Sequence, residues 1–362
     1  MPTPIVQFGT SRFLQAHADL FISEALKTGH APGPITVVQT TGSKERSGRL
    51  AALTHPDGFP VVVRGLLDGE RIDQTKRVTS VSRALSTGEN WADVMNIVAE
   101  EAEILISNTG DTGFQVAEDD LASEIPRSFP GKLLLLLKAR FDVGGRPLTI
   151  LPCELVSRNG EVLKALMLRL AADRIEDDAF ANWLTEDVVW ANTLVDRIVS
   201  EPLEPAGAIA EPYALWAIEN QPGLRLPCID PSVKLVEDLT PYEKLKLHIL
   251  NLGHTVLADL WLKENRRPNE TVREILADAR VAGRLEHIYQ AEVIRAFAAK
   301  GLENEATSYA AATLERFSNP FLNHRLGDIA NHHQEKIARR IADLRRWSPG
   351  VPMPELAAIS DQ

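Results

Sequence analysis

Three features of the sequence predict an α/β domain followed by a mainly α-helical one. The first fifty residues alternate strand, turn, helix and strand. Further short apolar runs then end in polar, glycine-bearing turns, as buried parallel strands do. From residue 237 onward, apolar residues recur at helical spacing with no strand signal. One domain is therefore expected over 1–236 and a second over 237–362.

Composition narrows the function classes. The chain has 362 residues, 44% hydrophobic and 25% charged, enough for two ordinary globular domains. Its formal net charge of −11 argues against nucleic acid or an anionic membrane, which need a basic field, and points to a small-molecule partner. Cys153 and Cys228 are too few for a disulfide framework and match no metal-ligand spacing. The opening MPTPIVQFGTSRF lacks a basic n-region followed by an apolar core, and no run approaches a membrane span in length. A cytoplasmic, metal-free protein is expected, and nothing in the sequence fixes its oligomeric state.

Taken in order, Ile5 to Phe8 reads as a buried strand, Gly9-Thr10-Ser11 as a turn, Arg12 to Leu26 as a helix and Ile35 to Gln39 as a second strand. That is the opening of a βαβ unit. Its glycine permits a tight turn, and the helix N-terminus offers free N–H groups and a positive dipole end to a pyrophosphate. Ser11 and Leu14 stand where the second and third fingerprint glycines would fall, so these residues also fit a purely structural turn. The second strand runs into Thr40 and Thr41 with no acidic residue at its end, which leaves NADP open beside NAD. Lys44 and Arg46 are available to a 2′-phosphate, or form a solvated loop.

Phe59 to Leu67, the Asp68-Gly69 turn and Arg71-Ile72 read as a β-hairpin. Ala102 to Gly113 reads as a buried strand running into a polar, glycine-bearing turn, whose Asn108 and Thr109 fall where α/β sheets bind ligands, or simply cap the turn. Lys132 to Phe141 is helical, and Leu148 to Pro152 is a strand leading into Cys153-Glu154-Leu155. Tyr242 to Leu262 is predicted as one long helix, Thr271 to Glu274 has capping-box spacing, and Leu285 to Ala299 is a further helix. Ser318-Asn319-Pro320 interrupts the helical pattern and Ile329 to Trp347 resumes it. Residues from Pro349 onward are expected as a loosely tied tail.

The run Lys246-Leu-His-Ile-Leu-Asn251-Leu-Gly-His254 places an amine, a carboxamide and an imidazole on one helix. At about 100° per residue, Asn251 lies roughly 140° and His254 roughly 80° round from Lys246, so all three can address one cleft. A lysine is a useful acid or base near neutral pH only where burial or a neighbour lowers its pKa. The same residues also fit an ordinary amphipathic helix with a solvated lysine.

The segments IVQFGTSRFLQAHADLF, VVVRGLLDGERID, ILISNTGDTGF, LPCELVSRNGEVL, NTLVDRIV, PYEKLKLHILNLGHTVLA and RFSNPFLNHRLGDIANHHQEK, in this order, resemble the polyol-specific long-chain dehydrogenases of the mannitol dehydrogenase family. The likeness is nearest to the tagaturonate-reducing branch. It implies a Rossmann-type dinucleotide-binding domain followed by a helical substrate domain. It also implies NAD(P)-linked interconversion of a keto sugar acid or ketose with its reduced form, without a metal.

Carried over residue by residue, Lys246 is implied as the general acid/base, Asn251 as the donor to the substrate oxygen and His254 as the holder of a neighbouring oxygen. Hydride addition to a ketone creates an alkoxide, which is the chemistry such groups serve. Asp196, in Val-Asp-Arg, and Lys336 are implied at the substrate. The dinucleotide is implied at Gly9, Thr10, Ser11, Arg12, Phe13, Thr40, Asn108 and Thr109. Leu155 and Asp328 stand where the mannitol branch carries asparagine and arginine, which speaks against a mannitol substrate. A sugar-alcohol or sugar-alcohol-phosphate dehydrogenase, with Arg316, Arg339 and Arg340 as phosphate candidates, and a non-catalytic dinucleotide-binding regulator are the alternatives.

Overall fold

The structure is a computed structural model that describes residues 2–41, 47–110, 113–117, 120 and 123–361. The chain clusters into two compact units. The first comprises 1–62, 75–210 and 214–239, and the second 63–74, 211–213 and 240–362. Lys44 and Arg46 lie outside the described residues.

The strands of the first half are β1 (Ile5–Phe8), β2 (Ile35–Gln39), β3 (Phe59–Leu67), β4 (Glu70–Val78), β5 (Val81–Ser86), β6 (Ile104–Ser107), β7 (Leu148–Pro152) and β8 (Val188–Trp190). Six of them form a parallel sheet in the order β5-β2-β1-β6-β7-β8. β1 registers Ile5 with Ile35 on one side and with Ile104 on the other. Its central strands are buried along their whole length, as their unbroken apolar runs require when helices cover both faces. After β1 the chain winds outward to β2 and β5, then returns to β6 on the opposite side. The reversal leaves a crevice at the carboxyl ends of β1 and β6, where open α/β sheets bind their ligands.

The helix expected over 12–26 is interrupted. It runs as Arg12–Gln15 and Ala18–Leu26, with His17 between them at φ −125° and ψ −96°. Arg197 Nη1 donates to the Ala16 carbonyl at 2.5 Å and His17 Nε2 donates to the Leu215 carbonyl at 3.2 Å, so residues distant in sequence fix the break. The later strands are β9 (Thr193–Asp196), β10 (Val199–Pro202), β11 (Ala208–Ala210), β12 (Leu215–Glu219) and β13 (Val233–Val236). They complete two small sheets, β13-β12-β9 and β10-β11-β3-β4.

The β3–β4 hairpin turns on Asp68 (φ 53°) and Gly69 (φ 79°), both left-handed as a type I′ turn demands. The tip of this hairpin, 63–74, belongs to the second unit, so that unit is not purely helical. The Glu315 carboxylate accepts the backbone N–H groups of Asp68 (3.2 Å) and Gly69 (2.6 Å).

In the second unit, residues 240–263 are continuously helical but not one α-helix. A π-helical turn, Lys246–Leu250, separates Thr240–Leu245 from Asn251–Lys263. A second π turn, Tyr289–Val293, interrupts the helix predicted near 285–299. The capping box at Thr271 and Glu274 forms as expected, and Glu303–Phe317 stops at the Ser318-Asn319-Pro320 break. The loosely tied tail is not what forms. Pro354–Ser360 is a helix whose Leu356 and Ile359 are buried in the core of the unit. Its N-terminus is held by the Glu292 carboxylate, which accepts the N–H groups of Glu355 (2.7 Å) and Leu356 (3.0 Å).

Candidate active site

The dinucleotide candidates gather at the switch-point crevice of the first unit. Gly9 has φ 120°, and a Cβ there would stand 2.6 Å from the Asn108 carbonyl oxygen, so only glycine lets the ends of β1 and β6 approach this closely. Ser11 N-caps the short helix Arg12–Gln15 by accepting from Leu14 N at 3.3 Å. Arg12 is exposed, and Phe13 stacks on His17 with ring centroids 4.8 Å apart. Thr10 is buried, its carbonyl accepting from Gln15 Nε2 at 3.1 Å. The residues present fit a dinucleotide pyrophosphate: the glycine turn brings backbone close, and no acidic side chain lies between Gly9 and Phe13.

Asn108 donates to the Cys153 carbonyl at 2.7 Å. Thr109 is held through its N–H (3.0 Å) and hydroxyl (2.9 Å) by Glu154, which also accepts from Ser107 at 2.9 Å. Burial raises the Glu154 carboxyl above its ordinary range, and these hydrogen bonds pull it back. Glu154 fixes the end of β6 beside the candidate dinucleotide residues, a part that sequence reasoning missed. Its signal was position, since it follows the end of the strand beside β6. At the end of β2, the Thr40 carbonyl accepts from the Thr87 hydroxyl at 3.2 Å.

Asp196 ends β9 in the first unit, buried and paired in register with Leu215. Lys246, Asn251, His254 and Lys336 all belong to the second unit. The π turn alters the expected placement of the first two. Asn251 shares its N–H between the carbonyls of Leu247 and Lys246, the second being the i→i−5 bond of a π turn. That bond sets Asn251 close to one turn above Lys246. His254, three α-helical residues on, then lies about 60° away. The trio therefore spans a narrower arc than a regular helix would give.

Lys246 and Asn251 are half-buried, and among the described residues nothing hydrogen-bonds the Asn251 carboxamide. His254 is buried, with its ring 4.4 Å from Phe317 and 4.6 Å from His324. Its Nε2 has no hydrogen-bond partner among the described residues. Burial holds this imidazole well below its ordinary pKa, and the charges of His324, Arg340, Arg316 and Lys336 push it the same way. His254 is therefore neutral at physiological pH, with one ring nitrogen to offer a ligand.

Lys336 donates to the Ile329 carbonyl at 2.8 Å, and its pKa is lowered by burial and then by Arg340. Arg340 donates to the Asn251 carbonyl (3.2 Å) and the Thr255 hydroxyl (3.0 Å), and burial lowers its pKa to about 10. Neither cation faces a carboxylate among the described residues. The other two sequence candidates differ. Arg316 is committed to Glu211, and Arg339 is exposed. Asp328 is also exposed, and its charge bears on His324. The i,i+4 spacing of Lys336 and Arg340 was the sequence signal that both share one helix face. Among the described residues no three His, Cys, Asp or Glu side chains converge as metal ligands, and no helix is long and apolar enough to cross a membrane.

Comparison with known proteins agrees with this architecture. The mannitol dehydrogenase Rossmann domain matches residues 3–227, and the mannitol dehydrogenase C-terminal domain matches residues 238–354. An altronate oxidoreductase of Halalkalibacterium halodurans is 33% identical over 365 residues, covering 94% of this chain and 70% of the relative. Among solved structures, a substrate-free D-sorbitol dehydrogenase superposes with a TM-score of 0.81 at 22% identity, covering 96% of this chain and 76% of that one. Pseudomonas fluorescens mannitol 2-dehydrogenase, in a ternary complex with NAD and D-mannitol, gives 0.75 at 19% identity, covering 99% and 78%. The two family domains in tandem, over a parallel sheet with a glycine turn at its switch point, show that the chain belongs to the mannitol dehydrogenase family and is an NAD(P)-dependent oxidoreductase acting on a CH–OH group.

Proposed function

We propose that this enzyme interconverts a keto sugar acid of the tagaturonate or fructuronate kind with the corresponding aldonate. The observation that carries the choice of a sugar acid over a neutral polyol is the pair Lys336 and Arg340. Two half-buried cations that face no carboxylate among the described residues, and whose charges both bear on His254, are suited to the carboxylate of a substrate. The altronate oxidoreductase relative supports the same choice.

In this reading residues 1–236 bind the dinucleotide, through Gly9, Thr10, Ser11, Arg12, Phe13, Thr40, Asn108 and Thr109, and residues 237–362 carry the proton chemistry. Bound NAD(H) supplies or accepts the hydride at the substrate carbon. Lys246 gives its proton to the substrate oxygen during reduction and takes it back during oxidation. Asn251 turns its free carboxamide N–H toward that oxygen as negative charge grows on it, a contribution of roughly 3 kcal/mol for one such donor. Neutral His254 holds a neighbouring hydroxyl through Nε2. Asp196 binds a further hydroxyl. Because Lys246 moves the proton, the reaction proceeds without a metal ion.

The test is a panel of altronate, tagaturonate, fructuronate, mannitol, sorbitol and fructose, with NAD(H) and NADP(H), followed by nicotinamide absorbance. Sugar acids should exceed polyols in kcat/KM by at least about a hundredfold, the worth of one or two charge-assisted hydrogen bonds. Faster turnover of mannitol or sorbitol would overturn the reading.

A further inference from the structure

The π turn that aligns Lys246 with Asn251 is not closed by its own helix alone. The Tyr289 hydroxyl, buried to 1% exposure on another helix, donates to the Ile249 carbonyl at 2.9 Å, within the widened turn. It reaches that carbonyl across Gly253. A Cβ on Gly253 would collide with the hydroxyl oxygen and stand 3.0 Å from Phe317 Cε2. Phe317 in turn packs on the His254 ring. One aromatic group therefore grips the helix before Asn251 and another grips it after, and both lie over the same glycine.

A π turn is less favourable than the α-helix it interrupts and is used in single turns, frequently at functional sites. An external donor on a carbonyl inside the turn favours the wide form over the α form, in which that carbonyl serves its own helix. The α form would carry Asn251 about 140° round from Lys246. Tyr289 thus controls which of the two alignments the catalytic groups adopt.

We propose that Tyr289 is a positioning residue for the reaction, acting through the Ile249 carbonyl, and that Gly253 is glycine to admit its hydroxyl. This rests on the assignment of Lys246 and Asn251 given under Proposed function. It concerns chemistry more than binding, since Tyr289 touches neither cation of the proposed carboxylate site.

The experiment compares Tyr289→Phe, Gly253→Ala, their double variant and Lys246→Ala, each assayed with tagaturonate and NADH well below its own Tm. Tyr289→Phe should lower kcat by at least about tenfold with KM and NADH affinity within about threefold, since weighting the turn toward the misaligned α form acts on the chemical step. Gly253→Ala should cost more than about tenfold in kcat in the native background. In the Tyr289→Phe background, where no hydroxyl remains to collide with, it should cost less than about threefold, the non-additivity of two residues in contact. Normal kcat for Tyr289→Phe with only a lower Tm would reduce the tyrosine to a structural role and overturn the proposal, as would additive losses in the double variant. Lys246→Ala separates the two levels, since near-normal turnover in that folded variant would sink the catalytic assignment itself. A loss of about two to four orders of magnitude there, with Tyr289→Phe unaffected, would sink only the positioning role.

Discussion

Arg316 and Glu211 form a bidentate ion pair, Nε to Oε2 at 3.0 Å and Nη2 to Oε1 at 2.8 Å, with the two side chains only 3% and 2% exposed. The guanidinium also lies over the Tyr213 ring, 4.3 Å from its centroid. A buried pair of this kind is costly to break from one side, because the remaining charge stays out of water. Glu211→Ala should therefore destabilise the second unit by ~3–5 kcal/mol. Urea denaturation measures this, and a loss under ~1 kcal/mol would show that the pair is not held in solution.

The carboxylate site makes a prediction that separates substrate from cofactor. Lys336→Met and Arg340→Met should each raise KM for the sugar acid about ten- to a hundredfold, the loss of one charge-assisted hydrogen bond. Dinucleotide affinity, read by cofactor fluorescence, should stay within about threefold of the parent enzyme. Equal loss of both would mean that the two cations serve the fold and not the substrate.

The complementary change lies in the βα turn. Ser11→Glu places a negative charge where the pyrophosphate approaches and should raise the NADH dissociation constant by about tenfold or more. The KM for the sugar acid at saturating NADH should hardly move. An unchanged cofactor affinity would place the pyrophosphate elsewhere.

Asp19, in the first turn of the helix Ala18–Leu26, gives the first unit one source of pH dependence. Burial pushes its carboxyl from 3.8 to about 8, opposed only in part by the Gln7 side chain. Between those two values the folded state holds a proton that the unfolded chain releases, so stability is full below about pH 4 and falls as pH rises toward 8. A shift of about four units sets a ceiling of ~5 kcal/mol on the effect. Asp19→Asn should flatten this slope, gaining stability relative to the parent as pH rises from 5 to 8. Thermal unfolding across that range is the measurement, and parallel curves for the two proteins would refute it.

Sequence showed what is decided locally. The strands β1, β2, β6 and β7, the Asp68-Gly69 turn and the Thr271/Glu274 capping box each follow from a few adjacent residues, and each formed where expected. What escaped depends on partners far along the chain. The break at His17 is held by Arg197 and Leu215, the π turn by Tyr289, and the final helix by Glu292. Periodicity over 240–263 could not reveal the π turn, because every residue from Leu252 to Leu260 is buried, so turning them by about 100° leaves no change of face to read. The Lys246, Asn251 and His254 set and Lys336 were visible as residue types, whereas Arg340 stands apart from the other two arginine candidates only in the structure, where Glu211 neutralises Arg316 and Arg339 is exposed.

The hairpin tip 63–74 has a bearing on how such enzymes can be recombined. Grafting a new substrate preference by exchanging everything after residue 239 would separate that hairpin from the side chains that hold it, Glu315 at its turn and Asn319, whose carboxamide donates to the Arg64 carbonyl at 3.3 Å. Gly65 deepens the dependence, since a Cβ there would stand 2.6 Å from that same carboxamide. A chimera that keeps its stability must carry three separated stretches together, 63–74, 211–213 and 240–362, so the unit of exchange in this protein is a three-dimensional module and not a length of gene.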